Sequence, residues 1–238
     1  MHEVTLASLR AIREFSRGDI LWQALWPPLV SLFGWVVIAW FAWMPTSAWL
    51  LAHLPAWSWL DWLGSYLVHV TLALVFAPLI YATTLLLVAA FALPRMMAIV
   101  AARDYPEVSR HGTPGAAFWG SIGNTLVTGL IFVAGWLLCL PLLLIPGGLL
   151  VLPLLWSAWL NQRTFSFDVL AEHATPEERR TLLVRERSRF RAAGFVSALA
   201  AYVPFANVLA PAFAALLFTH LGLSALRRLR AREGVWVT

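Results

Sequence analysis

Four long stretches of the chain carry no Asp, Glu, Arg or Lys: residues 20–60, 62–94, 111–162 and 192–226, together about two thirds of its length. A helix rises about 1.5 Å per residue and the hydrocarbon core of a bilayer is about 30 Å thick, so about 20 apolar residues suffice to cross it. In the first stretch Pro27-Pro28 stands where a helix starts and Pro45 where one ends, and extension back to Leu21 gives a span over 21–44. The second gives a span over 62–93, with Pro78 as the expected kink. The third is broken at Pro141, Pro146-Gly147-Gly148 and Pro153, and the fourth at Pro204 and Pro211. Each of these divides into two arms, one of them about 12 residues and too short to cross. The pattern predicts two crossings and two re-entrant or partly inserted helical hairpins, over 117–160 and 192–226.

Charge orients this arrangement. The 17 basic residues are all arginine: three lie before residue 20, three between 95 and 110, seven between 163 and 191, and four between 227 and 232. The connection 45–61 holds Asp61 and no arginine. The positive-inside rule therefore places that loop outside and both termini in the cytoplasm, with 163–191 a cytoplasmic helical segment and 227–238 a cytoplasmic tail. Nine of the 14 tryptophans fall between Trp22 and Trp62, the belt expected at a membrane interface. The apolar run after the N-terminus exceeds a signal-peptide core and no small-residue cleavage site follows, so an uncleaved span is expected.

Composition agrees: 61% of the 238 residues are hydrophobic and 12% charged, against roughly 25% charged in soluble domains. The net charge of +5 then marks a cytoplasmic rim at the lipid surface rather than a nucleic-acid face. One cysteine, Cys139, excludes a disulfide framework or a cysteine-rich metal site. Residues 1–19 place Leu6, Leu9, Ile12 and Phe15 on one helical stripe opposite Arg10, Arg13 and Glu14, the signature of an interfacial amphipathic helix. Thr175-Pro176-Glu177-Glu178 is a capping box that starts a helix.

Gly194-Phe195 and the run from Tyr202 to Pro211, with Pro204, Asn207 and Pro211, resemble the C-terminal motif of the CysZ-type sulfate permeases, which share a superfamily with the etoposide-induced membrane proteins. Ser157-Ala158-Trp159 is similar to that family's S-A-W segment, and the likeness runs from about residue 15 to 226. The resemblance implies an all-α, single-domain protein of the bacterial inner membrane, homo-oligomeric, that passes sulfate. The family's anion motif, a glycine followed by arginines at the start of the first long helix, corresponds here to Arg17-Gly18-Asp19, which keeps the glycine without the arginines after it.

An anion site needs helix-start N–H donors and a cation that makes paired hydrogen bonds. Arg17 with the Gly18 backbone is the first candidate, Arg95 at the inner end of the second span is another, and Asn207 between two prolines either caps a hairpin arm or lines a path. Asp168 is a bracing residue expected to pair with Arg187 or Arg189. His69 and His220 lie alone in apolar helices and read as packing residues. No nucleophile–base pair, phosphate loop or metalloprotease motif occurs, so neither an enzyme nor a bound cofactor or metal is expected. The partners expected are the lipid bilayer and a small inorganic anion. The alternative is a non-transporting member of the same superfamily, acting in membrane organisation or protein interaction.

Overall fold

The computed structural model describes residues 2–53, 61–108, 114–203 and 206–233. The elements along them are α1 (His2–Glu14), α2 (Gly18–His53), α3 (Asp61–Leu87), a π-helical turn (Val88–Ala92), α4 (Leu93–Asp104), α5 (Pro114–Cys139), a 3-10 turn (Leu140–Leu144), α6 (Gly148–His173), α7 (Pro176–Arg185), α8 (Arg187–Ala200), a second 3-10 turn (Ala206–Leu209) and α9 (Ala210–Glu233). Helix is the form that lets an apolar segment satisfy its own N–H and C=O groups where no water can. The elements group into two compact units, one formed by Leu21–Pro94 and the other by Met1–Ile20 with Arg95–Thr238.

Among the described residues, four helices are long and apolar enough to cross a membrane: Gly18–His53, Leu63–Asp104, Trp119–Leu144 and Ala210–Glu233. The first three turn large apolar side chains outward. Phe33, Trp40 and Phe41 on α2, Leu74 and Leu86 on α3, and Leu130 and Leu138 on α5 are each more than half exposed. So wide an apolar exterior is stable only under lipid. The chain is a membrane protein with several such helices. α9 differs, since 83% of its most apolar stretch is covered by protein.

Within Leu21–Pro94, α2 and α3 pair antiparallel. Trp26 meets Phe91, Trp35 meets Phe76 edge-on at 5.6 Å, and Trp43 meets His69, so partner numbers fall as the helix advances. Ser31 donates to the Ile80 carbonyl at 2.9 Å and the Trp35 indole donates to Thr83 Oγ1 at 2.8 Å, polar links that strengthen a contact made in lipid. α2 is longer than the span read over 21–44, because it runs on through Pro27, Pro28 and Pro45 to His53. Each interior proline removes one backbone bond, yet in an apolar surround breaking the helix would leave several groups unpaired. The helix that follows departs from α geometry at Val88–Ala92, where the Leu93 N–H reaches the Val88 carbonyl. That wider turn precedes Pro94, whose ring would otherwise press on the carbonyl four residues back. Helix then resumes past Arg95 to Asp104.

In the other unit, α5 and α6 form a hairpin whose turn needs Gly147, at φ +85°, where a side chain would be strained. α6 continues from Gly148 to His173, well beyond the arm read as ending at 160, because its polar half packs on protein: Asn161 Nδ2 donates to Ser197 Oγ of α8 at 3.1 Å. Gly194 of α8 lies so close to α6 that a Cβ there would collide with the Ala158 carbonyl oxygen. Two of the segments that carried the family resemblance, Gly194-Phe195 and Ser157-Ala158-Trp159, therefore touch backbone to backbone. Phe165 of α6 and Phe190 of α8 stack on Phe218 of α9, whose side chain is fully buried. Pro211 sits in the first turn of α9, where its missing N–H is harmless. Pro204 and residues 54–60 of the 45–61 connection, with Trp57 and Trp59, lie outside the described residues.

α1 buries Val4, Ala7 and Ala11 and leaves Leu6, Leu9 and Ile12 exposed, Leu9 by 58%. It packs on α9 through small residues, with its leucine stripe facing outward. Glu3 bridges this helix to α9 and α8, meeting Arg228 at 2.9 Å and Arg189 at 3.1 Å. Close by on α9, Arg230 Nε donates at 2.8 Å to Glu178, which also closes the Thr175 capping box.

Gly194→Ala is expected to lower the melting temperature in detergent, since overpacking against backbone costs about 1–3 kcal/mol. Gly129→Ala, where a Cβ meets nothing within 4 Å, is expected to be neutral or stabilising. Thermal unfolding of the two variants beside the parent checks both.

Candidate anion site

The ends of α1 and α4 meet the middle of α9 in the unit that contains it. The last turn of α1 supplies Arg10, Arg13 and Glu14, and Ser16 and Arg17 follow in the link to α2. The end of α4 supplies Arg103 and Asp104 with Tyr105 just beyond, and α9 supplies His220 and Arg227. These ten side chains line a cavity of about 640 Å³.

Glu14 is its centre. Its side chain is 9% exposed, and Arg103 Nη2 donates to its Oε1 at 2.5 Å. Arg103 also donates from Nε to Asp104 Oδ1 at 2.8 Å, so one planar guanidinium spans two carboxylates. Arg17 stands 3.7 Å from Glu14 Oε2 and 3.4 Å from Asp19. His220 Nε2 lies 3.9 Å from Glu14 Oε1. On the far side of the His220 ring, the Tyr105 hydroxyl donates to the His220 carbonyl at 3.2 Å and lies 3.1 Å from Nδ1. Burial pushes the Tyr105 phenol above its ordinary range, against the pull of Arg10 and Arg227. Arg227 lies over the Tyr105 ring at 5.5 Å and pairs with Glu107 at 3.0 Å.

Five arginines against two carboxylates line the space, so its field favours an anion. Glu14, Asp104 and His220 also come within 4.8 Å of one another, a spacing that a cation could bridge. Arg103 already occupies both carboxylates, and a cation would have to displace it against the surrounding positive charge.

The cavity contains Arg17 but gathers few of the other residues expected from sequence. Gly18 opens α2 with nothing near its Cα hydrogens, and Asp19 Oδ1 accepts the Ile20 N–H at 3.0 Å, so this helix start carries its own negative cap. Arg95 is exposed on α4 and lines a separate cavity of about 530 Å³ with Tyr105 and His173. Asn207 is exposed on the 3-10 turn before α9. Asp168 accepts a short hydrogen bond from Ser121 of α5 rather than pairing with an arginine, while Arg189 pairs with Glu3 and Glu186. Burial lifts the Asp168 carboxyl to about 6, opposed by the Ser121 bond. Sequence reasoning passed over Glu14, Arg103, Asp104, Tyr105 and Arg227, and took His220 for a packing residue.

Residues 7–211 match the profile of the family described as sulfate transporter CysZ/etoposide-induced protein 2.4. The chain belongs to that family. The match takes in Arg10, Glu14, Arg17 and Arg103, so the α1 and α4 sides of the cavity lie within the part shared with the CysZ/etoposide-induced family. No curated protein and no solved structure matches the chain.

Two outcomes test this geometry. Arg103→Gln leaves Glu14 buried beside a neutral amide and is expected to lower stability by about 1–3 kcal/mol, with much of the loss recovered in the Arg103→Gln/Glu14→Gln double variant. A double-mutant cycle on melting temperature measures it. For Asp168, a folded-state value above the ordinary one means that the folded protein binds this proton more tightly than the unfolded chain. Its contribution to stability therefore rises as pH falls from about 7 towards 4 and is a penalty above about 6. Asp168→Asn is expected to raise the melting temperature at neutral pH and to flatten its dependence across that window.

Proposed function

We propose that the chain is a permease for small oxyanions of the sulfate type, with the cavity between α1, α4 and α9 as its anion-binding site. The observation that carries this reading is the excess of arginine in a cavity at the start of the first apolar helix. Guanidinium groups there hold a tetrahedral oxyanion by paired hydrogen bonds, and the field of the cavity draws it in. Arg17 is the residue that links the cavity to α2. Arg95 and Asn207 are proposed as further contacts along the path, and the Gly18 backbone as a donor at the start of α2.

The topology that goes with this reading has the arginine-rich segments and both termini in the cytoplasm, with the 45–61 connection outside a bacterial inner membrane. Two helices cross, two hairpins dip in from the cytoplasmic side, and copies of the chain associate to close the path. α9 fits a hairpin arm covered by protein, since its apolar residues are already buried. Transport, rather than catalysis, is the activity proposed.

Proteoliposomes holding the full chain are expected to take up radiolabelled sulfate faster than empty vesicles, and Arg17→Ala is expected to slow the uptake severalfold. Uptake no faster than in empty vesicles, for sulfate and for phosphate alike, would leave the non-transporting alternative.

A further inference from the structure

Two side chains that line the cavity each carry a buried atom whose hydrogen-bonding capacity no described neighbour fills. Glu14 Oε2 is buried with no donor on it, and Arg17 Nε stands 3.7 Å away. Arg103 Nη1 is buried with no acceptor on it, and Asp19 Oδ2 stands 4.0 Å away. The site therefore asks for an acceptor and a donor at once. A carboxylate only accepts hydrogen bonds and a guanidinium only donates them. Sulfate, which has no proton near neutral pH, answers the arginines but sets a negative oxygen against Glu14 Oε2.

We infer, resting on the anion-site reading above, that the cavity selects an oxyanion that keeps an O–H at neutral pH, with hydrogenphosphate as its representative, over fully ionised sulfate. The O–H of the ligand donates to Glu14 Oε2 and its remaining oxygens accept from Arg103 Nη1 and the arginines around it. His220 strengthens the same preference. The Tyr105 hydroxyl donates to the His220 carbonyl, so it accepts from Nδ1–H, and Nε2 of the neutral ring is left as a second buried acceptor with no donor on it. Two bare acceptors under a canopy of guanidinium groups favour a ligand that brings a proton. Binding moves no proton between partners: the O–H stays on the phosphate oxygen, and the anion leaves as it entered.

A hydrogen bond to a charged group is worth about tenfold or more in affinity, and an unfilled buried acceptor adds to the difference. Equilibrium binding to the full chain in nanodiscs, at about pH 8, is expected to rank hydrogenphosphate about tenfold or more above sulfate. Methyl phosphate is the second probe, because its dianion keeps the charge and tetrahedral head but has lost its last proton well below that pH. It is expected to bind as weakly as sulfate, and this comparison needs no variant. Glu14→Gln is expected to narrow the gap between hydrogenphosphate and sulfate. Sulfate bound as tightly as hydrogenphosphate, methyl phosphate bound equally well, or no anion bound at all would overturn the inference. Selective hydrogenphosphate binding without anion flux in proteoliposomes would keep the inference and remove the permease reading. Flux of both anions with equal affinity would do the reverse.

Discussion

The Glu14 carboxylate is held under two guanidinium groups at the foot of the first apolar helix, and the unit around α9 is arranged about that contact. An ionised carboxylate so thoroughly buried persists only when opposite charge and hydrogen bonds surround it. Arg103 satisfies this from the end of α4, Arg17 from the link before α2, and His220 and Tyr105 close the far side from α9 and the end of α4. One interaction thus ties the end of α1 to elements far apart in sequence. Because arginine outnumbers acid there, the same contact that fixes the fold leaves positive charge facing the cavity.

α9 is the core of that unit. It is apolar enough to cross a bilayer, yet it is enclosed by α1, α6 and α8 and stacked through Phe218 on Phe165 and Phe190. Its arginine-rich end is pinned by acids from separate elements: Arg228 by Glu3 of α1, Arg230 by Glu178 of α7, and Arg227 by Glu107 beyond α4. Glu178 has two duties, since it also closes the capping box that starts α7. The close approach of α8 to α6 at Gly194 completes the packing without large side chains between the helices.

Much of the helical framework was legible because charges cannot be buried in lipid without partners, so charge-free stretches mark apolar helices. The Thr175 capping box was legible because its two partners are three residues apart. Helix ends were not: prolines that stop helices in water are carried through in α2, where a break would expose unpaired backbone. The leucine stripe of α1 reads as a lipid-facing surface and turns outward, but it leaves unsaid which face meets protein, since lipid and core both attract apolar residues. The docking face is the small one, Val4, Ala7 and Ala11, and that face brings Glu14 inward. Arg17 was found from its place at a helix start. Arg103 and His220 were not, because they meet Glu14 only across about 90 and about 200 residues of chain, and no local spacing records such a meeting.

The central claim is that the oxyanion sits between Arg17, Arg103 and Glu14. Arsenate, a heavier stand-in for hydrogenphosphate, can be located by its anomalous scattering in crystals of the full chain. An anomalous peak is expected inside the cavity between α1, α4 and α9, within hydrogen-bonding reach of Glu14 Oε2 and Arg103 Nη1. A peak only at Arg95 or Asn207, with that cavity filled by water alone, would contradict it.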